Sequence, residues 1–144
     1  MRANPGEQEI RGLLEEARNI AVVGLSDRPY RTSHAIARAL QGFGYRIFPV
    51  NPKLEGPVLG EQPYSSVSEI EEQIDLVNVF RRSEAVMPAA RDAVDAGAST
   101  LWMQLGVIND EAHDYAAGHG LAVVMDRCIK VDYASLIGRG QAYL

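Results

Sequence analysis

The sequence contains few of the features that mark secreted or membrane proteins. Cys128 is the only cysteine, so no disulfide can form within the chain, which fits a reducing compartment. No apolar run reaches the length of a transmembrane helix, and the polar N-terminal residues MRANPGEQE do not form a signal-peptide pattern. We therefore expect a cytoplasmic protein that does not bind membranes.

An excess of positive charge is also missing. The formal net charge is −5 at pH 7. General binding of nucleic acid or anionic lipid requires a broad positive surface, so the composition excludes both as general partners and allows only a local basic pocket. The three histidines are scattered, and with Cys128 they form no metal-ligand pattern, so we expect no metal.

Two common nucleotide-binding motifs are absent. Gly24 stands alone and Ser26 occupies the second glycine position of a G-x-G-x-x-G pattern, which weakens the case for NAD. No G-x-x-x-x-G-K-[ST] loop exists, which argues against a P-loop ATPase. An NAD domain usually has an acidic residue after its second strand, but Asn51, Pro52 and Lys53 stand here instead. Lysine at this position suits a phosphate on the ribose, and it equally fits a solvated lysine after a rigid turn.

Apolar runs and helical patterns alternate along the chain. With 144 residues, we expect one domain over residues 1–144. Strands are predicted at 19–24, 45–50, 75–80, 100–105 and 121–125, with a further short strand at 58–59. Helices are predicted at 7–18, from Thr32 or Ser33 to Gly42 or Gly44, and from Ser66 or Ser68 to Gln73. Two further helices are predicted from Ser83 to Gly97 and at 111–119, the latter after an Asn109 cap. A closing helical turn is predicted at 131–137. Residues 1–6 and 138–144 are predicted to be loose tails.

This alternation predicts an α/β fold, a Rossmann-like domain with a mostly parallel sheet of about five to six strands and helices on both faces. In such sheets ligands bind at the carboxyl ends of the strands. The segment from Ile20 to Ser33, IAVVGLSDRPYRTS, has a strand, a glycine turn and a helix start, which together favour a phosphate site. Gly24 would allow close approach, Ser26 would supply a hydroxyl, and Arg28 and Arg31 would supply charge. Gly24 is also explained by a strand-ending turn alone.

Other strand ends carry further candidates. Arg81 and Arg82 follow one strand, and one of them can hold an anion while the other faces solvent. Gln104 ends another strand and can line the crevice, whereas Trp102 is more typical of a core. Cys128 lies beside Arg127, which would lower its thiol pKa and make it reactive, but a buried apolar cysteine fits equally well.

The chain resembles a known family across several ordered segments. These are VVGLSDRPYRTS, GYRIFPVNPK, LGEQPYSSVSEI, IDLVNVFRRSE, LWMQLGVIN and GLAVVMDRCIKVDY. Their order resembles that of the small stand-alone CoA-binding proteins, which are similar to the N-terminal CoA-binding domain of the succinyl-CoA synthetase α subunit. The resemblance covers residues 19–133 and implies a Rossmann-like fold and coenzyme A as the ligand.

The resemblance also implies which residues bind the cofactor. One set would surround the CoA phosphates: Gly24, Leu25, Ser26, Arg31, Thr32 and Ser33. A second would lie near the adenosine and its ribose phosphate: Asn51, Pro52 and Lys53. A third would flank the adenine or the chain beyond it: Val79, Phe80 and Arg81. Gln104 and Gly106 would lie towards the pantetheine end.

The synthetase has a second domain and a partner subunit that this sequence lacks, so ligase activity by the chain alone is not expected. The predicted function is therefore binding of coenzyme A or an acyl-CoA without catalysis. The alternative is an NADP-dependent oxidoreductase or a thiol-transfer enzyme that uses Cys128. The sequence identifies no protein partner.

Overall fold

A computed structural model describes residues 1–138 of the chain. Five parallel strands form one sheet in the order β2-β1-β3-β4-β5, which confirms the predicted α/β fold. The strands are β1 (Asn19–Val23), β2 (Arg46–Val50), β3 (Leu76–Val79), β4 (Thr100–Met103) and β5 (Ala122–Val124). The helices are α1 (Glu7–Glu16), α2 (Thr32–Gly42), α3 (Met87–Asp95), α4 (Asp110–Gly118) and α5 (Ile129–Leu136).

The helices cover both faces of the sheet, and each face buries its own apolar cluster. Alternate strand residues such as Val77 and Leu101 pack against α3 and α4. Their neighbours on the opposite face, including Leu76 and Trp102, pack against α1, α2 and α5. Burial on both faces explains why the strands are continuous apolar runs in the sequence. Trp102 is fully buried, as expected for a core residue.

The strand order reverses between β1 and β3. The chain runs from β1 outward to β2 and then returns to the other side of β1 to form β3. The loops that leave β1 and β3 therefore diverge to opposite sides and open a crevice at the carboxyl edge. The fold thus places one favourable ligand position beside β1.

The prediction of a loose N-terminal tail is wrong. The Asn4 amide donates to the carbonyl of Met125 at 2.8 Å and accepts from its N–H at 2.7 Å, so it pairs with the backbone where β5 ends. Arg2 donates from Nη2 to an Asp114 carboxylate oxygen at 2.9 Å. Both contacts span more than a hundred residues in sequence, which is why local patterns did not indicate them.

Several predicted element bounds also need correction. The segment at 58–59 is an isolated antiparallel bridge between Val58 and Glu61 and not a strand. The helix predicted to reach Gln73 is a single 3-10 turn, Val67–Glu69. The helix predicted from Ser83 begins as a separate 3-10 turn, Ser83–Ala85, before α3. The closing turn begins earlier than predicted, at Ile129, and the predicted tail lies outside the described residues from position 139 onward.

No helix within residues 1–138 is long and apolar enough to cross a membrane. The same part of the chain contains no group of three or more histidine, cysteine, aspartate or glutamate residues placed to hold a metal ion.

Candidate functional site

A cleft of about 670 Å³ opens at the carboxyl edge of the sheet, beside the reversal in strand order. Loops that follow β1, β2 and β3 form it. Its lining residues are Gly24, Ser26, Asp27, Arg28, Arg31, Ser33, Asn51, Lys53, Leu54, Glu55 and Arg81. Eight of the residues predicted from sequence are therefore brought together: Gly24, Ser26, Arg28, Arg31, Ser33, Asn51, Lys53 and Arg81.

Gly24 forms the floor of the cleft where β1 ends. Its N–H donates to the carbonyl of Val50 at 2.8 Å, and its φ is +88°. A Cβ atom at this position would collide with the backbone carbonyl of Phe80. Glycine is therefore required by the close packing of two strand ends, which also leaves the backbone open to a ligand.

The loop after β1 is held by two serines. The Ser33 hydroxyl accepts a hydrogen bond from the N–H of Ser26 at 3.0 Å. The Ser26 hydroxyl in turn accepts one from the N–H of Arg28 at 3.1 Å. This arrangement corrects the predicted cap by Thr32 or Ser33, because the N-cap residue of α2 is Arg31 and the Ser33 hydroxyl is engaged with the loop.

The first turn of α2 points its backbone donors at the cleft. Among the described residues no side chain caps this helix, so its first N–H groups remain available to a ligand. The eleven-residue helix also directs the positive end of its dipole there. The site is thus suited to an anion before any side chain is considered.

Asn51 connects the loop after β2 to the loop after β1. Its Nδ2 donates to the carbonyl of Leu25 at 3.1 Å, and its Oδ1 accepts from the N–H of Lys53 at 3.1 Å. The side chain therefore fixes the shape of the cleft wall and orients the Lys53 backbone. The following Pro52 is exposed and does not line the cleft.

Four cationic side chains surround the cleft: Arg28, Arg31, Lys53 and Arg81. Within residues 1–138 none of them forms an ion pair, whereas Arg2, Arg11, Arg46 and Arg127 all do. The lining also contains the carboxylates of Asp27 and Glu55. In a chain of net charge −5, a local excess of two positive charges is unusual and attracts anions.

Tyr30 organises the two loop arginines. Arg28 Nη1 donates to the Tyr30 hydroxyl at 3.3 Å, and the Arg31 guanidinium lies 5.9 Å from the ring centroid. The ring is 76% exposed, so it contributes little to the core. Its contacts instead keep both guanidinium groups close to the loop.

The remaining predicted residues lie outside the lining of the cleft. Leu25 and Val79 are fully buried core residues, and Thr32 is exposed at the start of α2. Phe80 is half-buried beside Gly24. Gln104, Gly106 and Cys128 lie further along the same edge of the sheet.

The last three residues have defined local roles. Gln104 is 4% exposed and bonds to the first turn of α5. The Gly106 N–H donates to the Asp126 carboxylate at 2.7 Å. Cys128 is a half-buried free thiol at the N-cap of α5. Of the two adjacent arginines, Arg81 lines the cleft and Arg82 is exposed.

Sequence analysis did not identify three of the lining residues, Asp27, Leu54 and Glu55. Asp27 directly follows Ser26, and Leu54 and Glu55 come after Lys53, so their loops were the available signal. The residue types of Asp27 and Glu55 argued against them, because a carboxylate at an anion site contradicts the expected charge.

Comparison with known proteins supports the identification of this fold. A sequence model described as a CoA binding domain matches residues 18–134. The chain is 47% identical over 131 residues to the uncharacterized protein YneT of Bacillus subtilis strain 168, covering 91% of this chain and 96% of that protein. It is also similar to the solved structure of a hypothetical protein from Pyrococcus horikoshii OT3, with 33% identity, a TM-score of 0.89, and coverage of 96% of this chain and 100% of that one.

A shorter similarity extends to an enzyme. Over 59 residues the chain is 34% identical to the ADP-forming acetate–CoA ligase of Methanocaldococcus jannaschii, which covers 41% of this chain and 8% of the ligase. The match to the family spans most of the chain and includes every loop that forms the cleft. The chain therefore belongs to the CoA binding domain family.

Proposed function

We propose that the chain is one CoA-binding domain that binds coenzyme A, free or as an acyl-CoA, in the cleft beside β1. We further propose that it binds without catalysis of its own and acts in the cytoplasm. Family membership supports CoA binding in general, and the cleft supplies a position for the ligand.

The observation that carries this proposal is a group of cations that form no ion pair within residues 1–138, next to a helix that no described side chain caps. Arg28, Arg31, Lys53 and Arg81 surround the start of α2. Coenzyme A carries a pyrophosphate and a ribose 3′-phosphate, so it requires several positive groups at separate points. Guanidinium groups bind phosphate through paired hydrogen bonds, and helix N–H groups add further donors.

The positions of these cations support a separate binding position for each phosphate group of coenzyme A. The pyrophosphate would lie over Gly24 and the first turn of α2, next to Arg31. The ribose phosphate would lie against Lys53, on the loop after β2. Arg81, which is half-buried, would contact the ligand where it leaves the phosphate region.

NADP is the competing ligand, because it also combines a pyrophosphate with a ribose phosphate near Lys53. A thiol-transfer enzyme would use Cys128, but among the described residues that line the cleft there is neither cysteine nor histidine. The described lining therefore gives no support to the thiol-transfer alternative.

Calorimetric titration of the full chain tests the proposal. We expect coenzyme A to bind more tightly than NADP, and Arg31→Ala and Lys53→Ala each to weaken CoA binding by about tenfold or more. Lys53→Ala should also remove most of the preference for coenzyme A over dephospho-CoA, because Lys53 is assigned to the phosphate that distinguishes them.

Arg91→Ala is the matched control, because Arg91 is exposed on α3, on the opposite face of the sheet. It changes the net charge equally and should leave CoA affinity unchanged. Equal affinities of the wild type and both cleft variants would contradict the assigned site. Tight binding of NADP alone would favour the oxidoreductase alternative.

A further inference from the structure

Two carboxylates, those of Asp27 and Glu55, line a cleft that otherwise attracts anions. Both side chains are exposed. Within residues 1–138 the ion pairs use other carboxylates, namely those of Glu15, Glu72, Asp110, Asp114 and Asp132. A carboxylate without a cationic partner repels an anionic ligand through the same Coulomb interaction by which the neighbouring cations attract it. The cleft therefore contains two negative charges that oppose its proposed ligand.

Glu55 lies close to Lys53, the residue proposed to bind the ribose phosphate. The two residues are separated by one position in the chain, so their Cα atoms are no more than about 7 Å apart. Both line the cleft. Among the described residues, no ion pair joins these two side chains. A cation and a carboxylate therefore lie side by side in the cleft, and each is available to a ligand.

The loop that carries this pair has a fixed backbone. Asn51 accepts through Oδ1 from the N–H of Lys53 at 3.1 Å, and its carbonyl accepts from the N–H of Leu54 at 3.1 Å. Leu54, between the two charged residues, packs against the apolar cluster on the α2 face of the sheet. Further along the loop, the Gln41 amide on α2 donates to the carbonyl of Leu59 at 3.0 Å. The cation and the carboxylate are therefore attached at defined positions.

The ribose of coenzyme A carries a matching pair of groups. Its 3′-phosphate is anionic, and the adjacent 2′-hydroxyl can donate a hydrogen bond. A carboxylate accepts such a bond well, as acidic residues do from the ribose hydroxyl of NAD. In NADP the two groups are exchanged, so that the 2′-oxygen carries the phosphate and the 3′-oxygen is free. A carboxylate at the 2′-oxygen would repel that phosphate.

Three contacts would decide which ribose oxygen meets the carboxylate. With the pyrophosphate over Gly24 and the 3′-phosphate against Lys53, the 2′-oxygen would lie next to Glu55. We propose that Glu55 is a specificity-determining residue, whose carboxylate accepts a hydrogen bond from the free 2′-hydroxyl of coenzyme A and repels the 2′-phosphate of NADP. The inference rests on the proposed function. It accounts for a carboxylate in an anion site, because repulsion that weakens all anions slightly can reject one ligand among several of similar charge.

Three substitutions separate this role from a general effect of charge. Glu55→Gln removes the negative charge and keeps an oxygen that can accept from a hydroxyl, and it should not change urea resistance because the side chain is exposed. Asp27→Asn is the matched control inside the cleft, since it removes the same charge from the loop after β1. Glu16→Gln is the control outside the cleft, exposed at the end of α1 and at the opposite edge of the sheet.

The experiment is a calorimetric titration of each full-length variant with adenosine 3′-phosphate 5′-diphosphate and with its 2′-phosphate isomer, and with coenzyme A in parallel. The two isomers have equal composition and charge and differ only in the position of one phosphate. We expect the wild type to bind the 3′ isomer about tenfold or more tightly than the 2′ isomer, and Glu55→Gln to reduce this preference to about threefold or less. The change should come mainly from tighter binding of the 2′ isomer. Asp27→Asn should change both affinities by the same factor, and Glu16→Gln should change neither.

The outcomes separate this inference from the proposed function. If the wild type binds coenzyme A but does not prefer the 3′ isomer, or if Glu55→Gln keeps the wild-type preference, the role of Glu55 is overturned and the CoA site remains. An equal loss of preference in Asp27→Asn would also overturn that role, because any negative charge in the cleft would then have the same effect. A wild type that binds neither isomer nor coenzyme A would overturn both proposals.

Discussion

The backbone carbonyl of Phe80 lies where a side chain on Gly24 would have to begin. A Cβ built on Gly24 would approach this oxygen far closer than the 3.0 Å limit that real Cβ contacts respect, and the φ of Gly24 is +88°. We expect Gly24→Ala to lower the free energy of unfolding by more than about 1–2 kcal/mol, the cost of left-handed backbone alone. Urea denaturation measures this loss, and CoA affinity should fall with it.

Gly12→Ala is the control for this substitution. Gly12 lies inside α1, its φ is not positive, and a Cβ atom there would meet no other part of the protein within 4 Å. Alanine there should raise stability by up to about 1 kcal/mol, because glycine is a poor helix residue. A Gly24→Ala protein as stable as the wild type would show that the two strand ends are less closely packed than described.

Ser33→Ala tests the hydrogen bond that shapes the phosphate loop. The Ser33 hydroxyl accepts from the Ser26 N–H, and Ser33 is 8% exposed. Its loss should reduce stability by about 0.5–1.5 kcal/mol and weaken CoA binding through the altered loop. Ser135→Ala, at an exposed position on α5, should change neither quantity. Unchanged stability of Ser33→Ala would rule out this contribution of the hydroxyl.

Tyr30 variants test whether the exposed ring positions the loop arginines. Tyr30→Phe removes the acceptor used by Arg28 but keeps the ring near Arg31, whereas Tyr30→Leu removes both contacts. We expect Tyr30→Leu to weaken CoA binding by about two- to fivefold, and Tyr30→Phe to weaken it less. Stability should not change, because the ring is 76% exposed. Wild-type affinity in Tyr30→Leu would contradict this role.

Acid should release the N-terminal residues that dock against α4. The pKa of Asp114 is lowered to about 2. The largest cause is a side-chain hydrogen bond from the Arg2 guanidinium, and a side-chain hydrogen bond from His113 is the next largest. A lowered pKa means that the contact is fully present above the ordinary carboxyl pKa of about 3.9 and is lost as the pH falls towards 2. NMR titration of the Asp114 side chain and of the Met125 amide, which donates to Asn4, follows the release.

In Arg2→Ala the pKa of Asp114 should rise towards its ordinary value, and the Met125 amide signal should change already at neutral pH. Arg11→Ala, which removes a local ion pair with Glu15, is the control and should leave both signals unchanged. An identical Asp114 titration in the wild type and Arg2→Ala would show that the N-terminal contact does not form in solution.

The parallel sheet was predictable because its signals are local. A strand buried on both faces is a short apolar run, and each of the five predicted runs contains an observed strand. The order of runs and helices then fixes the carboxyl edge, so Gly24, Arg31, Lys53 and Arg81 could be placed at one site from sequence alone.

Features that depend on distant contacts were not predictable. Ser33 has the residue type of a helix cap, yet the position of the folded loop decides that it bonds Ser26. Asn4 has no local reason to pair with Met125, 121 residues later. Asn78 and Gln104 each look like an isolated polar residue in a strand, and only the β3–β4 register brings their amides together.

The most direct test of the central claim is equilibrium unfolding of the wild-type chain with each of five ligands: coenzyme A, dephospho-CoA, NADP, NAD and ATP. At about a hundredfold excess over its dissociation constant, a ligand that binds only the folded protein adds about 2.7 kcal/mol to the free energy of unfolding. We expect the largest stabilisation with coenzyme A, a smaller one with dephospho-CoA, and less with the other three. Equal stabilisation by all five, or none with coenzyme A, would contradict a cleft built for this cofactor.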